Sequence, residues 1–145
     1  MGKTIDVDGI IRKSKSYHDF FHNLSNLSLK KEYSSKSIGD VFEKLCKLYL
    51  QTKPQYKLKF KNVWLHNQGE TPNKVCKYLN LPGPDFGIDI ICETNQGEFW
   101  SVQSKFRSAQ KDKLILDELD GFMRMSYITC KNITFALVMQ TIYSP

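Results

Sequence analysis

The sequence predicts an α/β fold in three layers, with a central mixed β-sheet flanked by helices and one helix ahead of it. Three observations carry this. Two runs, 87–93 and 98–106, are rich in β-branched and aromatic residues and flank the turn Thr94-Asn95-Gln96-Gly97, which is the pattern of a β-hairpin. Two apolar stripes at helical spacing, Ile38 to Tyr49 and Leu114 to Met123, lie before and after the hairpin, as amphipathic helices require. A last apolar run, 133–139, follows the second stripe, and a strand reached through a helical crossover lies parallel to its neighbour.

In chain order, residues 1–35 read as an extension with one helix and 36–145 as the main domain. Residues 1–14 are polar and read as loose. Tyr17, Phe20, Phe21, Leu24 and Leu27 share one helical face. His18 and His22, four apart on it, lack a third zinc ligand in the sequence and read as a solvated face. Ser37 is the predicted cap of the next helix, with Asp40 at its third position. That helix ends near Gln51, because Pro54 cannot continue it. Residues 57–65 read as extended. Thr71-Pro72 starts a short helix through Val75, Cys76, Tyr78 and Leu79. Gly121 lies inside the helix after the hairpin, where it costs about 1 kcal/mol relative to Ala, so a packing reason or a break is expected. The run 133–139 reads as a buried strand. The chain stops soon afterwards, which suggests a domain taken from something longer.

Composition bounds the function. Hydrophobic residues make up 41% and charged residues 25% of 145, an ordinary globular balance. No apolar run approaches the ~20 residues of a membrane span, and the N-terminus has no signal-peptide core, so an intracellular setting is expected. The four cysteines are far apart, each in or beside an apolar segment, and read as reduced core thiols. The net charge of +6 suits an anionic partner such as nucleic acid.

The hairpin turn sets a register. A three-residue loop, Asn95-Gln96-Gly97, with Gly in the left-handed position, is a common hairpin closure. Thr94 then faces Glu98, and Asp89 faces Gln103. Opposed residues point to one side of the sheet and the side-chain period is two, so Asp89, Gln103 and Lys105 share a face while Trp100, Val102 and Phe106 face the core. A two- or four-residue loop would reverse this parity.

A carboxylate within a buried strand is costly unless it is paired or holds a metal. Asp89 and Gln103 offer oxygens to a Mg2+ ion, the Ser104 carbonyl is a further oxygen, and Glu43 on the preceding helix could hold a water of the ion. Such an ion polarises a phosphate and acidifies water, and a lysine, Lys105, offsets the charge that develops on the phosphorus centre. The structural alternatives are plain: Glu43 as a surface partner of Lys47 at i+4, and Lys105 as a simple counter-charge to Asp89.

Gly83-Pro84-Asp85-Phe86-Gly87-Ile88-Asp89-Ile90 and Trp100-Ser101-Val102-Gln103-Ser104-Lys105-Phe106 resemble the PD-(D/E)XK nuclease superfamily, and most of all its Mrr-type branch. The sequence is especially similar to the nuclease domains ahead of superfamily 2 helicases in single-chain type I restriction-modification enzymes and some viral helicases. The resemblance spans about Ser37 to Met139 and implies the restriction-endonuclease-like fold. It assigns Asp89 to the family's strand aspartate, Lys105 to its lysine, Glu43 to the helix glutamate and Asp85 to an extra acid. Gln103 stands where most members have Glu or Asp, and it brings no charge to the metal site.

The resemblance implies a Mg2+-dependent endodeoxyribonuclease, with Mn2+ able to substitute, that leaves a 5′-phosphate. The implied partners are DNA, helicase or methyltransferase domains of the same protein, and a second copy where both strands are cut. Arg107, Lys111, Lys113 and Lys59 are candidate phosphate contacts. The alternative is a nuclease-fold module that binds DNA without cutting it and positions a helicase or methyltransferase. A protein-binding adaptor of the same fold is a third reading.

Overall fold

The computed structural model describes residues 5–28, 34–84, 86–107 and 116–142. Asp85, Lys111 and Lys113 lie outside them. The helices are α1 (Val7–Lys13), α2 (Tyr17–Ser28), α3 (Ser35–Thr52), α4 (Pro54–Lys57), α5 (Asn73–Leu79) and α6 (Leu116–Arg124), and the strands are β1 (Phe60–Leu65), β2 (Ile90–Thr94), β3 (Phe99–Arg107) and β4 (Ile133–Ile142). The strands form one mixed sheet in the order β1-β2-β3-β4, with helices flanking it. This is the α/β, restriction-endonuclease-like architecture that the sequence predicts.

The described residues fall into two compact units, one within Met1–Phe42, Lys105–Lys113 and Gln140–Pro145, the other within Glu43–Ser104 and Leu114–Met139. In the first, α1 is a helix where the sequence reads as loose. Asp6 caps it, with its Oδ1 accepting from the Gly9 amide at 3.0 Å. The first 35 residues thus carry two helices, α1 and α2, rather than one. Phe20 and Leu24 on α2 are buried, as the periodicity of that helix requires. The rings of Phe42 and Phe106 pack 5.5 Å apart.

The cap of α3 is Ser34, whose Oγ accepts from the Ser37 amide at 3.1 Å. The expected cap, Ser37, is instead inside the first turn. Serines at 34, 35 and 37 are all competent caps, and periodicity does not choose among them. Pro54 ends α3 as expected, but it also starts α4, because proline suits the first position of a helix. The strand therefore begins at Phe60 rather than near Lys57.

In the second unit, Val75 and Leu79 of α5 and Phe122 of α6 pack with Ile88, Ile91, Phe99 and Cys130. An aromatic row, also within this unit, runs from Tyr56 to Phe60 (5.8 Å), Trp100 (5.1 Å) and Phe135 (5.0 Å). Gly121 has neither a packing reason nor a break, since a Cβ there would meet nothing within 4 Å and α6 passes through it. The helix departs from α geometry only at Met125–Thr129, which form a π-helical turn. β4 is half-buried rather than buried, with Phe135 52% exposed. It is the last strand of the sheet, and an apolar run alone does not distinguish an edge from a centre.

The hairpin has the predicted register. Ile90 pairs with Val102, Ile91 with Ser101, Cys92 with Trp100 and Glu93 with Phe99. The turn closes through Thr94 N to Glu98 O (2.8 Å) and Gly97 N to Thr94 O (3.0 Å). Gly97 has φ +83°, the left-handed region that glycine enters without steric cost.

Candidate active site

Asp89 lies one residue ahead of β2, at the end of the sheet opposite the hairpin turn. Its backbone is tied on both sides: its amide donates to Val102 O of β3 and its carbonyl accepts from the amide of His66, the residue after β1, each at 2.9 Å. Its carboxylate is half-buried and held at both oxygens. Oδ1 accepts from Asn67 Nδ2 at 2.7 Å. Oδ2 accepts from the Ser104 amide at 2.7 Å and from Ser104 Oγ at 3.3 Å. Hydrogen bonds to a charged acceptor are short and about twice as strong as neutral ones, so this carboxylate is fixed in direction.

Gln103 precedes Ser104 on β3 and is only 6% exposed. Its Nε2 donates a long bond, 3.4 Å, to Gly87 O. Among the described residues its Oε1 is buried and has no hydrogen-bond partner. Gly87 sits beside it with φ +95°, so the loop that delivers Asp89 turns at this point through a conformation suited to glycine.

Glu43 on α3 is buried, at 7% exposure. The surface reading of this residue does not hold, because Lys47 Nζ bonds Glu70 Oε1 at 2.7 Å instead. Glu43 and Asp89 both lie within electrostatic range of the buried Cys46 thiol. Burial first, then the charges of Asp89 and Glu43, push that thiol well above the usual range. Cys92 is pushed up to about 12 by burial alone. Lys105 is half-buried and lies on β3 two residues past Gln103. Lys59 is exposed beside β1, and Arg107 ends β3.

Asn67 and His66 escape sequence reasoning, as does the part played by the Ser104 amide and hydroxyl, since the sequence points only to its carbonyl. Asn67 and Ser104 hold the Asp89 carboxylate. His66 braces the loop that leads to it: its Nε2 lies 2.8 Å from Pro82 O and its Nδ1 3.0 Å from Thr71 Oγ1. A carbonyl only accepts, so Nε2 carries a proton, and in the neutral ring the Thr71 hydroxyl donates to Nδ1. The only sequence signal is a polar triplet, His66-Asn67-Gln68, directly after an apolar strand. Asn67→Ala is expected to lower stability by about 1.5–3 kcal/mol, the range for a hydrogen bond to a charged group, as measured by urea unfolding at neutral pH. Asn67→Asp sets a like charge against Asp89, so it should cost more at neutral pH and recover part of the loss on acidification.

The donor set suits a hard cation. No three His, Cys, Asp or Glu side chains gather into a metal-binding group among the described residues. Asp89 and Glu43 could each offer a carboxylate oxygen and the buried Gln103 an amide oxygen. Carboxylate and amide oxygens are ligands of Mg2+, whereas zinc favours His and Cys.

A family model, Mrr_cat_2, described as a restriction endonuclease, matches residues 51–144, nearly two thirds of the chain. The chain belongs to this restriction endonuclease family. Among solved structures, the ATP-dependent Type ISP restriction-modification enzyme LlaBIII bound to DNA shares the fold, with a TM-score of 0.55 and 23% identity over 83% of this chain. The chain spans 7% of the length of that enzyme. No curated protein matches it. The family match includes Asp89, Gln103 and Lys105 but begins after Glu43. Among the described residues of this restriction endonuclease family member, no helix is long and apolar enough to cross a membrane.

Proposed function

We propose that the chain is a Mg2+-dependent DNA endonuclease module within a helicase-linked restriction or viral DNA-processing protein. The observation that carries this reading is Gln103 Oε1, a buried acceptor with no partner among the described residues, one position before the amide that fixes Asp89. An unmet buried acceptor costs about 1–3 kcal/mol, and a cation held there would offset that cost. Asp89, Gln103 and Glu43 are the residues that would hold the ion, with Mn2+ able to substitute. When bound, Mg2+ supplies a Lewis acid for the phosphate and acidifies water at neutral pH.

The chain's own contribution is positioning. Asp89 cannot swing away from the reaction centre, because donors on Asn67 and Ser104 hold both oxygens. A strand residue directs its N–H and C=O to the same neighbour, so the Ser104 carbonyl is a further oxygen for the ion. Lys105 is proposed in the part of the family's lysine, whose ammonium would orient the attacking water and offset charge developing on the phosphate. The family resemblance adds Asp85 as an extra acid. Arg107, Lys111, Lys113 and Lys59 are the proposed phosphate contacts, and double-strand cleavage would use two copies.

The neutral Gln103 favours one competing reading, a module that binds DNA without cutting it. Nicking of supercoiled plasmid separates the two. The endonuclease reading expects nicking in Mg2+ or Mn2+, abolished by a chelator, together with a calorimetric Mg2+-binding heat. Nicking that persists in chelator overturns the metal dependence, and loss of both nicking and heat leaves the silent module.

A further inference from the structure

Residues 44–69 contain six lysines and not one Asp or Glu. The other 119 residues hold 15 basic against all 15 acidic side chains, so the entire net charge of +6 arises in this one stretch. It folds as the end of α3, α4, β1 and the turn after it. Glu70 bonds Lys47 at 2.7 Å, and Glu93 lies 3.9 Å from Lys61.

Two others sit over aromatic rings. Lys53 Nζ lies 5.5 Å from the centre of the Tyr49 ring and Lys59 Nζ 5.1 Å from that of Trp100. Phe135, 5.0 Å from Trp100 and 52% exposed, ends the same aromatic row. Asn95 in the hairpin turn ties down the backbone carrying Lys59, with its amide donating to Lys59 O at 3.0 Å and its Nδ2 to Leu58 O at 2.8 Å. Lys59 therefore stands on fixed backbone. It also lies at the far end of β1 from the Asp89 centre, since Phe60 pairs with Thr94 while Leu65 pairs with Ile90. At about 3.4 Å per residue the separation is ~17 Å, about five phosphate steps along one strand of a duplex.

We propose that Lys53, Lys57 and Lys59, with the exposed ring of Phe135, form a surface that holds single-stranded DNA apart from the Asp89 centre. Lysines beside an exposed aromatic ring match what a single strand offers, phosphates along one edge and unstacked bases along the other. A duplex presents phosphates but no free base faces, and an acidic protein surface has no use for the ring. The inference rests on DNA being the partner and is independent of cleavage.

The test is fluorescence anisotropy of the whole chain in chelator, with a labelled oligothymidine and a duplex of equal length. The single strand should bind more tightly. Replacing Lys53, Lys57 and Lys59 together by Gln should flatten the slope of log affinity against log salt by about 2, since each single-strand phosphate contact contributes roughly 0.7. Circular dichroism confirms that this surface variant is folded. Phe135→Leu keeps an apolar side chain but loses the stacking face and should bind about tenfold more weakly, whereas Phe135→Trp should not. An unchanged salt slope in the lysine variant, wild-type binding by Phe135→Leu, or duplex bound as well as single strand each overturns the proposal. Plasmid nicking in Mg2+ is read separately, so a failed nuclease reading with intact strand binding leaves this surface standing.

Discussion

Asp89→Ala is expected to reduce Mg2+-supported nicking by about a thousandfold or more, the scale of losing a central electrostatic element of a reaction centre. The same change removes the acceptor of the Ser104 amide and of Asn67 Nδ2. Stranded donors cost about 1–3 kcal/mol, so the variant should also melt earlier. Asp89→Asn does not avoid this cost. Its single oxygen satisfies one donor, and its NH2 group meets the other donor head-on. Thermal melts of both variants therefore accompany the nicking assay, and cleavage is compared below the lower melting temperature. A folded Asp89→Ala protein that cuts like the wild type would sink the active-site assignment.

Gln103→Glu carries the second large effect. It replaces a neutral oxygen with a charged one at a site 6% exposed, in the unit that also buries Glu43. Without metal, the new carboxylate meets burial, so the variant should be less stable than wild type at neutral pH and recover on acidification as the carboxyl protonates. With Mg2+ the sign reverses, because affinity rises with the charge count of the ligands. We expect Mg2+ affinity to rise by about tenfold or more and added Mg2+ to restore the melting temperature. A variant whose stability ignores Mg2+ would show that Gln103 is not a ligand. The measurement needs no turnover, so it also decides whether a non-cutting module still holds the ion.

Much of the fold was legible in the sequence. The hairpin register followed from three turn residues, because Gly97 in the left-handed region fixes the loop length and the loop length fixes parity. The helices α2, α3, α5 and α6 announced themselves by periodicity. α1 did not, since seven residues around Gly9 give too few turns for a stripe to emerge. The burial of β4 was misread because an apolar run does not state its rank in a sheet.

The candidate site was legible in its acids and not in its supports. Asp89 and Gln103 stand out as polar groups in apolar strands. Asn67 contacts Asp89 from 22 positions away through a short 3-10 turn, and no local pattern encodes that meeting. Glu43 shows the opposite case. A local rule offered it Lys47, but tertiary structure gave Lys47 to Glu70.

The hairpin turn has a consequence for how this chain can vary. Asn95-Gln96-Gly97 lies at the far end of the sheet from Asp89, yet it acts on the site as a reading frame acts on a message. One residue inserted or removed there would keep every side chain of β3 and turn each to the wrong face, an insertion placing Val102 and a deletion Ser104 where Gln103 now stands. Among relatives of this chain, length changes in that loop should therefore come in pairs or be absorbed by a bulge before Gln103, however freely its residues are exchanged.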